Sequence, residues 1–179
     1  MSLQRIGVFL SSKSGLPESY RQAAEAVGAW IGRTGRTLVY GGSRSGLMET
    51  LAQACSAAGG NVIGVVPQIV RDRDLVSDAC RTVFYTADLH DRKSAMMRES
   101  DIFIALPGGI GTLDELFTVL AAATIGTSRQ RVVLYNVDGC WDALVTLIAD
   151  LRRRGLVDDG IDGRLAYADS IGQLEGLCG

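Results

Sequence analysis

Short apolar runs alternate along the chain with longer amphipathic segments, a pattern typical of β-α-β units around a parallel sheet. The predicted strands are Arg5 to Leu10, Thr37 to Tyr40, Val62 to Val66, Thr82 to Tyr85, Ile102 to Leu106 and Val132 to Tyr135. The predicted helices are Glu18 to Arg33, Gly46 to Ala58, Leu89 to Glu99, Thr112 to Thr124, Trp141 to Arg154 and a short one from Ser170 onward. Because most of these strands are apolar throughout, helices are expected on both faces. The sequence therefore predicts an α/β fold with a doubly wound parallel sheet.

The length of the chain, 179 residues, fits a single domain that spans residues 1–179. Only the charged segment 68–78 lacks a clear periodicity, and it is predicted to be a surface loop or lid. A formal net charge of −2 gives no reason to expect nucleic acid as a partner. No segment has the length and apolarity of a signal peptide or a membrane span, so we expect no membrane association and a cytoplasmic location.

Cysteine and histidine usage argues against a metal site. The four cysteines are scattered and form no CxxC pair, which also disfavours a disulfide scaffold. The only histidine is His90, so mechanisms that need two histidine ligands are excluded. We therefore predict no metal.

A first glycine-rich loop, Gly41 to Gly46, follows the second predicted strand and opens a helix. Its backbone N–H groups could bind an anion, with help from the helix dipole. The alternative is a turn that only allows tight packing between strand and helix. The loop lacks the Gly-Lys-Ser/Thr of a P-loop, and no acidic residue ends the next strand to bind a ribose, so ordinary dinucleotide binding is disfavoured.

A second glycine-rich loop, Pro107 to Thr112, lies between an apolar strand and a helix. Its glycines allow a phosphate to approach the backbone, and Thr112 is predicted to cap the helix. Glu115 follows in the first helical turn, where a carboxylate ordinarily complements the helix dipole. Beside a phosphate site, however, the same carboxylate would repel the ligand unless it had another task.

A third segment, Asp88 to Lys93, begins the preceding helix and places an imidazole, a guanidinium and an ammonium within four residues. This helix start would direct its cations toward the same edge of the sheet. An exposed, charged helical turn is the alternative interpretation. The three segments together contain most of the chemistry that the sequence displays.

In this order the three segments resemble the motifs of the LOG family of phosphoribohydrolases, which are a YGGG-type loop ending in GLMG, an MHxRK helix start and PGGxGTxxE. The matching segments are Tyr40 to Met48 (YGGSRSGLM), Leu89 to Lys93 (LHDRK) and Pro107 to Glu115 (PGGIGTLDE). The resemblance covers about residues 5–141. PGGxGTxxE is quite specific in this context.

The resemblance implies a Rossmann-like fold and a homodimer that hydrolyses the N-glycosidic bond of a purine nucleoside 5′-monophosphate, cytokinin-type or adenosine, to free base and ribose 5-phosphate. It implies no cofactor. Matched to the family motifs, Arg92 and Glu115 are the catalytic residues. The residues assigned in the same way to substrate or phosphate binding are Gly108, Gly109, Ile110, Gly111, Thr112, Lys93, Gly41, Gly42, Met48 and Asp74.

The chemistry agrees with those roles. Cleavage of the C–N bond passes through an oxocarbenium-like state, which a nearby carboxylate stabilises while it also orients water. Arg92 is expected to balance the charge of the phosphate or of the departing purine.

The chain departs from the family pattern at two places. Glu49 stands where a glycine follows GLM, and this carboxylate is expected to narrow the site or repel an anion. Ala121 to Gly126 (AAATIG) replaces a Trp-x-Gln-Leu-Gly stretch, which is expected to reshape whatever that stretch contacts.

These departures motivate one alternative, a non-catalytic nucleotide or molybdenum-cofactor carrier of the same fold. A lysine decarboxylase, the other label used for such proteins, would need pyridoxal phosphate on a lysine. Only Lys13 and Lys93 are present, and that interpretation is disfavoured.

Overall fold

A computed structural model describes residues 4–178 and contains one seven-stranded sheet with the order β4-β3-β2-β1-β5-β6-β7. All neighbouring strands are parallel. The strands are β1 (Arg5–Phe9), β2 (Thr37–Tyr40), β3 (Asn61–Pro67), β4 (Thr82–Thr86), β5 (Ile102–Ala105), β6 (Val132–Tyr135) and β7 (Leu165–Ala168). The predicted α/β fold with a parallel sheet is confirmed.

Seven α-helices connect or follow these strands within the described residues. They are α1 (Glu18–Arg33), α2 (Gly46–Ala57), α3 (Gln68–Asp72), α4 (Leu89–Glu99), α5 (Ile110–Thr124), α6 (Asp142–Arg153) and α7 (Ile171–Leu177). Two short 3₁₀ helices lie at Val137–Gly139 and Asp159–Gly163. No helix within residues 4–178 is long and apolar enough to cross a membrane.

Two hydrophobic cores lie on opposite faces of the sheet. Helices α1, α2 and α7 pack on one face, and α4, α5 and α6 pack on the other. Strand β5 shows why its sequence is apolar throughout: Ile102 and Ile104 belong to the first core, and Phe103 and Ala105 belong to the second. Alternate side chains of a strand point to opposite faces, so a strand covered on both sides needs apolar residues at every position.

Two elements were missed by the sequence analysis. The loop predicted over residues 68–78 begins with the short helix α3, and β7 was not predicted at all. Strand β7 reads LAYA and has no β-branched residue, so its sequence carries little strand signal. Its pairing with β6 in a parallel register supplies the hydrogen bonds that its own sequence does not predict.

The strand order creates a crevice at one place in the sheet. From β1 the chain winds outward through β2, β3 and β4, then returns to the other side of β1 as β5. The loops after β1 and β5 therefore leave the sheet in different directions. Ligands of open α/β sheets bind at such a switch point, beyond the carboxyl ends of the strands.

Candidate active site

A cavity of about 370 Å³ lies at this switch point, within the size range of small-molecule sites. Four segments form it: the loop after β1, the first turn of α2, the start of α4, and the loop and first turns of α5. Its lining residues are Leu10, Ser11, Ser12, Lys13, Met48, Arg92, Gly109, Ile110, Gly111, Thr112 and Glu115. An apolar cavity of greater volume, between α6 and β7, contains none of the predicted site residues.

The cavity contains a buried ion pair. Arg92 Nη1 donates to Glu115 Oε1 at 2.6 Å, and the two side chains are only 14% and 8% exposed. Glu115 Oε2 accepts no hydrogen bond from any residue in 4–178, and it is not among the completely buried unpaired atoms. One oxygen of the carboxylate is thus held by the guanidinium, while the other is open to a ligand or water.

Helix α4 positions Arg92. Asp88 caps the helix by accepting hydrogen bonds from the backbone N–H groups of His90 and Asp91, at 2.8 and 2.9 Å. These bonds, first that from Asp91, lower the pKa of the Asp88 carboxyl. Arg92 follows one turn into the helix, and its Nε donates to the Val65 carbonyl at 3.1 Å. The guanidinium is therefore fixed at the end of β3 as well as by Glu115.

The lack of a side chain at Gly41 leaves room for the guanidinium of Arg92. A Cβ at this position would overlap Arg92 Nη2 and the end of the Met48 side chain. Neither Gly41 nor Gly42 lines the cavity, and Gly42 packs against Val66. The first glycine-rich loop therefore makes room for a functional side chain, whereas the sequence suggested that it cradles an anion directly.

Burial governs the electrostatics of Glu115. Loss of solvent raises the pKa of its carboxyl above the ordinary value of 4.5, and the nearby Arg92 cation opposes this shift. A carboxyl with a raised pKa that lines a cavity is a candidate for a reactive group.

The second glycine-rich loop presents backbone to the cavity. Gly109 is the N-cap of α5, and a Cβ at Gly109 or Gly111 would meet no atom within 4 Å. Thr112 was predicted to cap this helix, but it is the third helical residue and is buried against Gly108. The first N–H groups of this 15-residue helix, at Ile110 to Thr112, donate to no acceptor within residues 4–178, and these residues line the cavity, as an anion site requires.

Three other predicted site residues lie outside the cavity lining. Lys93 Nζ is bound to both oxygens of Asp114, at 2.7 and 2.9 Å, and so ties α4 to α5. Asp74 is fully exposed, and its backbone carbonyl accepts a hydrogen bond from Arg44. Gly108 packs behind the loop against Thr112.

The two departures from the family pattern also lie away from the cavity lining. Glu49 accepts a hydrogen bond from Gln53 at 2.8 Å on α2, so the carboxylate expected to repel an anion is not in the site. The segment 121–126 begins eleven residues beyond Ile110, about 16 Å along the helix axis. Neither feature lines this cavity.

Sequence reasoning missed the loop after β1. Ser11, Ser12 and Lys13 form one wall of the cavity, yet none was named as a site residue. A polar segment directly after the first strand of a parallel sheet was an available signal, because that strand ends at the same edge as the glycine-rich loops. What the sequence could not show is that β5 lies beside β1.

The chain is similar in sequence to the members of one known protein family. Residues 48–173 match the model of a protein family described as "Possible lysine decarboxylase". Cytokinin riboside 5′-monophosphate phosphoribohydrolase LOG5 of Arabidopsis thaliana is 42% identical over 157 residues, which are 88% of this chain and 67% of that protein. The chain belongs to the LOG family. A probable LOG enzyme of rice, Oryza sativa subsp. japonica, is also 42% identical, over 86% of this chain and 63% of its own.

Solved structures support the fold of this LOG family member. The molybdenum cofactor binding protein of Rippkaea orientalis matches with a TM-score of 0.70 and 22% identity, covering 100% of this chain and 99% of its own. The Moco carrier protein of Chlamydomonas reinhardtii matches with a TM-score of 0.71 and 24% identity, over 97% and 94%. At these identities the likeness establishes a shared Rossmann-like fold.

Loss of one partner of the buried pair should destabilise the protein. We expect Arg92→Met to lower the free energy of unfolding by about 3–5 kcal/mol at pH 8, because Glu115 is left as an unpaired buried carboxylate. The loss should be smaller at pH 5, because burial raises the pKa of Glu115 and acidification favours the protonated carboxyl, which needs no cation. Urea unfolding at both pH values measures this. The double variant Arg92→Met/Glu115→Leu should recover much of the stability, and equal losses at both pH values would contradict the account.

Proposed function

We propose that this protein hydrolyses the N-glycosidic bond of a purine nucleoside 5′-monophosphate, cytokinin-type or adenosine, to free base and ribose 5-phosphate. The observation that carries the proposal is the buried Arg92–Glu115 pair on a cavity whose wall is an open helix start. A cavity of this size that combines an anion site with an activated carboxylate fits a phosphorylated substrate. The phosphate would bind at the anion site, and the bond that breaks would lie next to the carboxylate.

The phosphate end of the substrate is assigned to Gly109 to Thr112. The N–H groups there have no acceptor within residues 4–178, and the dipole of α5 favours an anion. Binding through the backbone is insensitive to the base, so this end of the cavity selects a 5′-phosphate. Binding energy from this non-reacting group then serves to orient the sugar.

The reaction is assigned to Glu115 and Arg92. As the bond between C1′ and the purine nitrogen breaks, positive charge develops on the ribose, and the Glu115 carboxylate stabilises it. Glu115 Oε2 also orients the water whose oxygen bonds to C1′. One proton of that water remains on the new C1′ hydroxyl. The other proton ends on the departing purine, which leaves as the neutral base. Arg92 keeps the carboxylate ionised and in place.

The names of the relatives support the substrate class. Three curated relatives of this chain are named cytokinin riboside 5′-monophosphate phosphoribohydrolases, one of them designated probable, at 42–43% identity. The chain spans about two thirds of the length of these proteins. We infer from them an N⁶-substituted adenosine monophosphate as the first substrate to assay.

The site does not fit lysine decarboxylation. Pyridoxal phosphate would need a lysine for the Schiff base and an acidic or arginine partner for its pyridine nitrogen. Lys93 is bound to Asp114, and although Lys13 lines the cavity, Glu115 and Arg92 are bound to each other, so neither is free to pair with the pyridine nitrogen. Glu115 is also the only carboxylate that lines the cavity among the described residues. The description of the matching family, "Possible lysine decarboxylase", therefore does not name a reaction that this site fits.

A nucleotide or molybdenum-cofactor carrier remains the competing function, since the solved structures named above include two such proteins. A carrier has no need for a buried carboxylate with an oxygen open to the cavity. The features that favoured it, Glu49 and the segment 121–126, do not line the cavity. Retention of nucleotide without release of base is the result that would support a carrier.

Glu115→Gln tests the reaction. We expect kcat for release of base from isopentenyladenosine monophosphate to fall by about 10²- to 10⁴-fold, because the amide cannot carry the charge that the transition state requires. Nucleotide binding should remain, since the phosphate contacts are separate. Chromatography of free base and calorimetry of binding measure the two effects.

Glu175→Gln, which removes a partly exposed carboxylate on α7, is the matched control and should keep full activity. Full turnover by Glu115→Gln would refute the mechanism.

The pH dependence follows from the raised pKa of Glu115. The reaction needs the ionised carboxylate, which predominates only above that pKa, so kcat/KM should decline on acidification with a midpoint above 4.5. Initial rates between pH 4 and pH 9 measure the limb, and circular dichroism at each pH shows whether the protein is still folded. A midpoint at or below 4.5 in folded protein would contradict the assignment.

We also propose that the protein is a homodimer that pairs through α4 and α5. Ile110, Phe117 and Ala121 share one face of α5, and Ile110 and Phe117 are 83% and 40% exposed. Leu89, at the start of α4, adds an apolar side chain that is 59% exposed. Two copies of such a face can pair about a twofold axis and remove apolar surface from water.

A charge placed on this face should separate the subunits. We expect wild-type protein to sediment as a dimer and Phe117→Asp as a monomer, because each dimer would bury two unpaired carboxylates. Leu147→Asp, at an exposed leucine of α6, is the control and should leave the dimer intact. A monomeric wild type at micromolar concentration would refute the proposal.

A further inference from the structure

One wall of the cavity is the polar loop that follows β1. Lys13 lies on this wall and is one of two cationic residues among those that line the cavity, the other being Arg92. Arg92 is committed to Glu115 and to the Val65 carbonyl. Any further positive charge that the cavity offers to a ligand therefore comes from Lys13.

The backbone of this loop is anchored on two sides. Ser11 N donates to the Pro107 carbonyl at 3.1 Å, which joins the loop to the start of the second glycine-rich loop. Gly46 has a φ of 53°, and a Cβ there would overlap the backbone of Ser12 and Lys13. Ser11 Oγ in turn accepts a hydrogen bond from Lys13 N at 3.1 Å. The position of Lys13 is thus fixed by both glycine-rich loops.

The ammonium of Lys13 has no partner within residues 4–178. It forms none of the ion pairs or side-chain hydrogen bonds of that part of the chain. Other basic side chains there, such as Arg5, Arg92 and Lys93, are paired with acidic residues. Lys93, the only other lysine, is 16% exposed and bound to Asp114. An anchored lysine that lines a cavity and lacks a carboxylate is available to a ligand anion.

On the basis of the function proposed above, we propose that Lys13 binds the 5′-phosphate of the substrate and sets the preference of the site for a nucleotide over a nucleoside. The helix start supplies N–H donors to the phosphate, but a dianion needs further positive charge. Arg92 cannot supply it without leaving Glu115 unpaired. Lys13 brings a compact charge with three donors to the same cavity, and it leaves the catalytic pair undisturbed.

Binding to protein that cannot turn over tests this role directly. In the Glu115→Gln background, Lys13→Ala should weaken binding of adenosine 5′-monophosphate by roughly tenfold to a hundredfold, the range for loss of a charge-assisted hydrogen bond. Adenosine should bind as before, because it carries no phosphate. Lys13→Arg should retain most of the affinity. With Glu115 present, Lys13→Ala should lower kcat/KM for the monophosphate.

Arg33→Ala removes one exposed cation at the other end of α1 and should not alter binding. Equal binding of the monophosphate with and without Lys13 would overturn the proposal. So would an equal loss for adenosine, which would indicate that the loop itself had been disturbed. A wild type that binds nucleotide but releases no base would refute hydrolysis and leave the result for Lys13 valid. A wild type that binds no phosphate ligand would refute both.

Lysine acetylation provides a second measurement that needs neither turnover nor a variant. With limiting N-acetoxysuccinimide, mass spectrometry should show fast acetylation of Lys13 and slow acetylation of Lys93, which is held by Asp114. Adenosine 5′-monophosphate should protect Lys13, and adenosine should not. Protection of Lys93 in place of Lys13 would contradict the assignment.

Discussion

The buried pair between Arg92 and Glu115 is the interaction on which the site depends. Each charge would be costly alone in a place with so little solvent, and each is present because the other neutralises it. Glu115 also keeps one oxygen open to the cavity. The pair therefore combines a structural requirement with a reactive group, and a change in either residue affects both stability and chemistry.

Several separate parts of the fold hold this pair in position. The cap at Asp88 fixes the start of α4, the carbonyl of Val65 at the end of β3 accepts from the guanidinium, and Gly41 leaves room for it. Helix α5 carries Glu115 in the turn that follows the proposed anion site, so one helix start would place the phosphate and the carboxylate near each other. The proposed function thus gives the spacing PGGxGTxxE a geometric basis: the first turn of α5 binds the phosphate and the next turn carries the reacting carboxylate.

Some elements of the fold could be predicted from short stretches of sequence, and others could not. Strand β5 and helix α4 were predicted with nearly correct bounds, because an apolar run and a capped amphipathic segment are local signals. Strand β7 was missed because its strand character comes from pairing with β6. Lys93 was assigned to the substrate from its motif, yet its ammonium is taken by Asp114, a contact between helices that no local pattern reports.

The sequence by itself determined the parallel α/β architecture and, through PGGIGTLDE and LHDRK, the residues Arg92 and Glu115. These depend on periodicity and on motifs contained in short segments. Only the tertiary structure decided that β5 lies beside β1, and hence that Lys13 shares a cavity with the second glycine-rich loop. It also decided that Gly41 accommodates Arg92 and does not line the cavity. The physical reason is that strand order is set by how the two hydrophobic cores pack, which joins residues far apart in the chain.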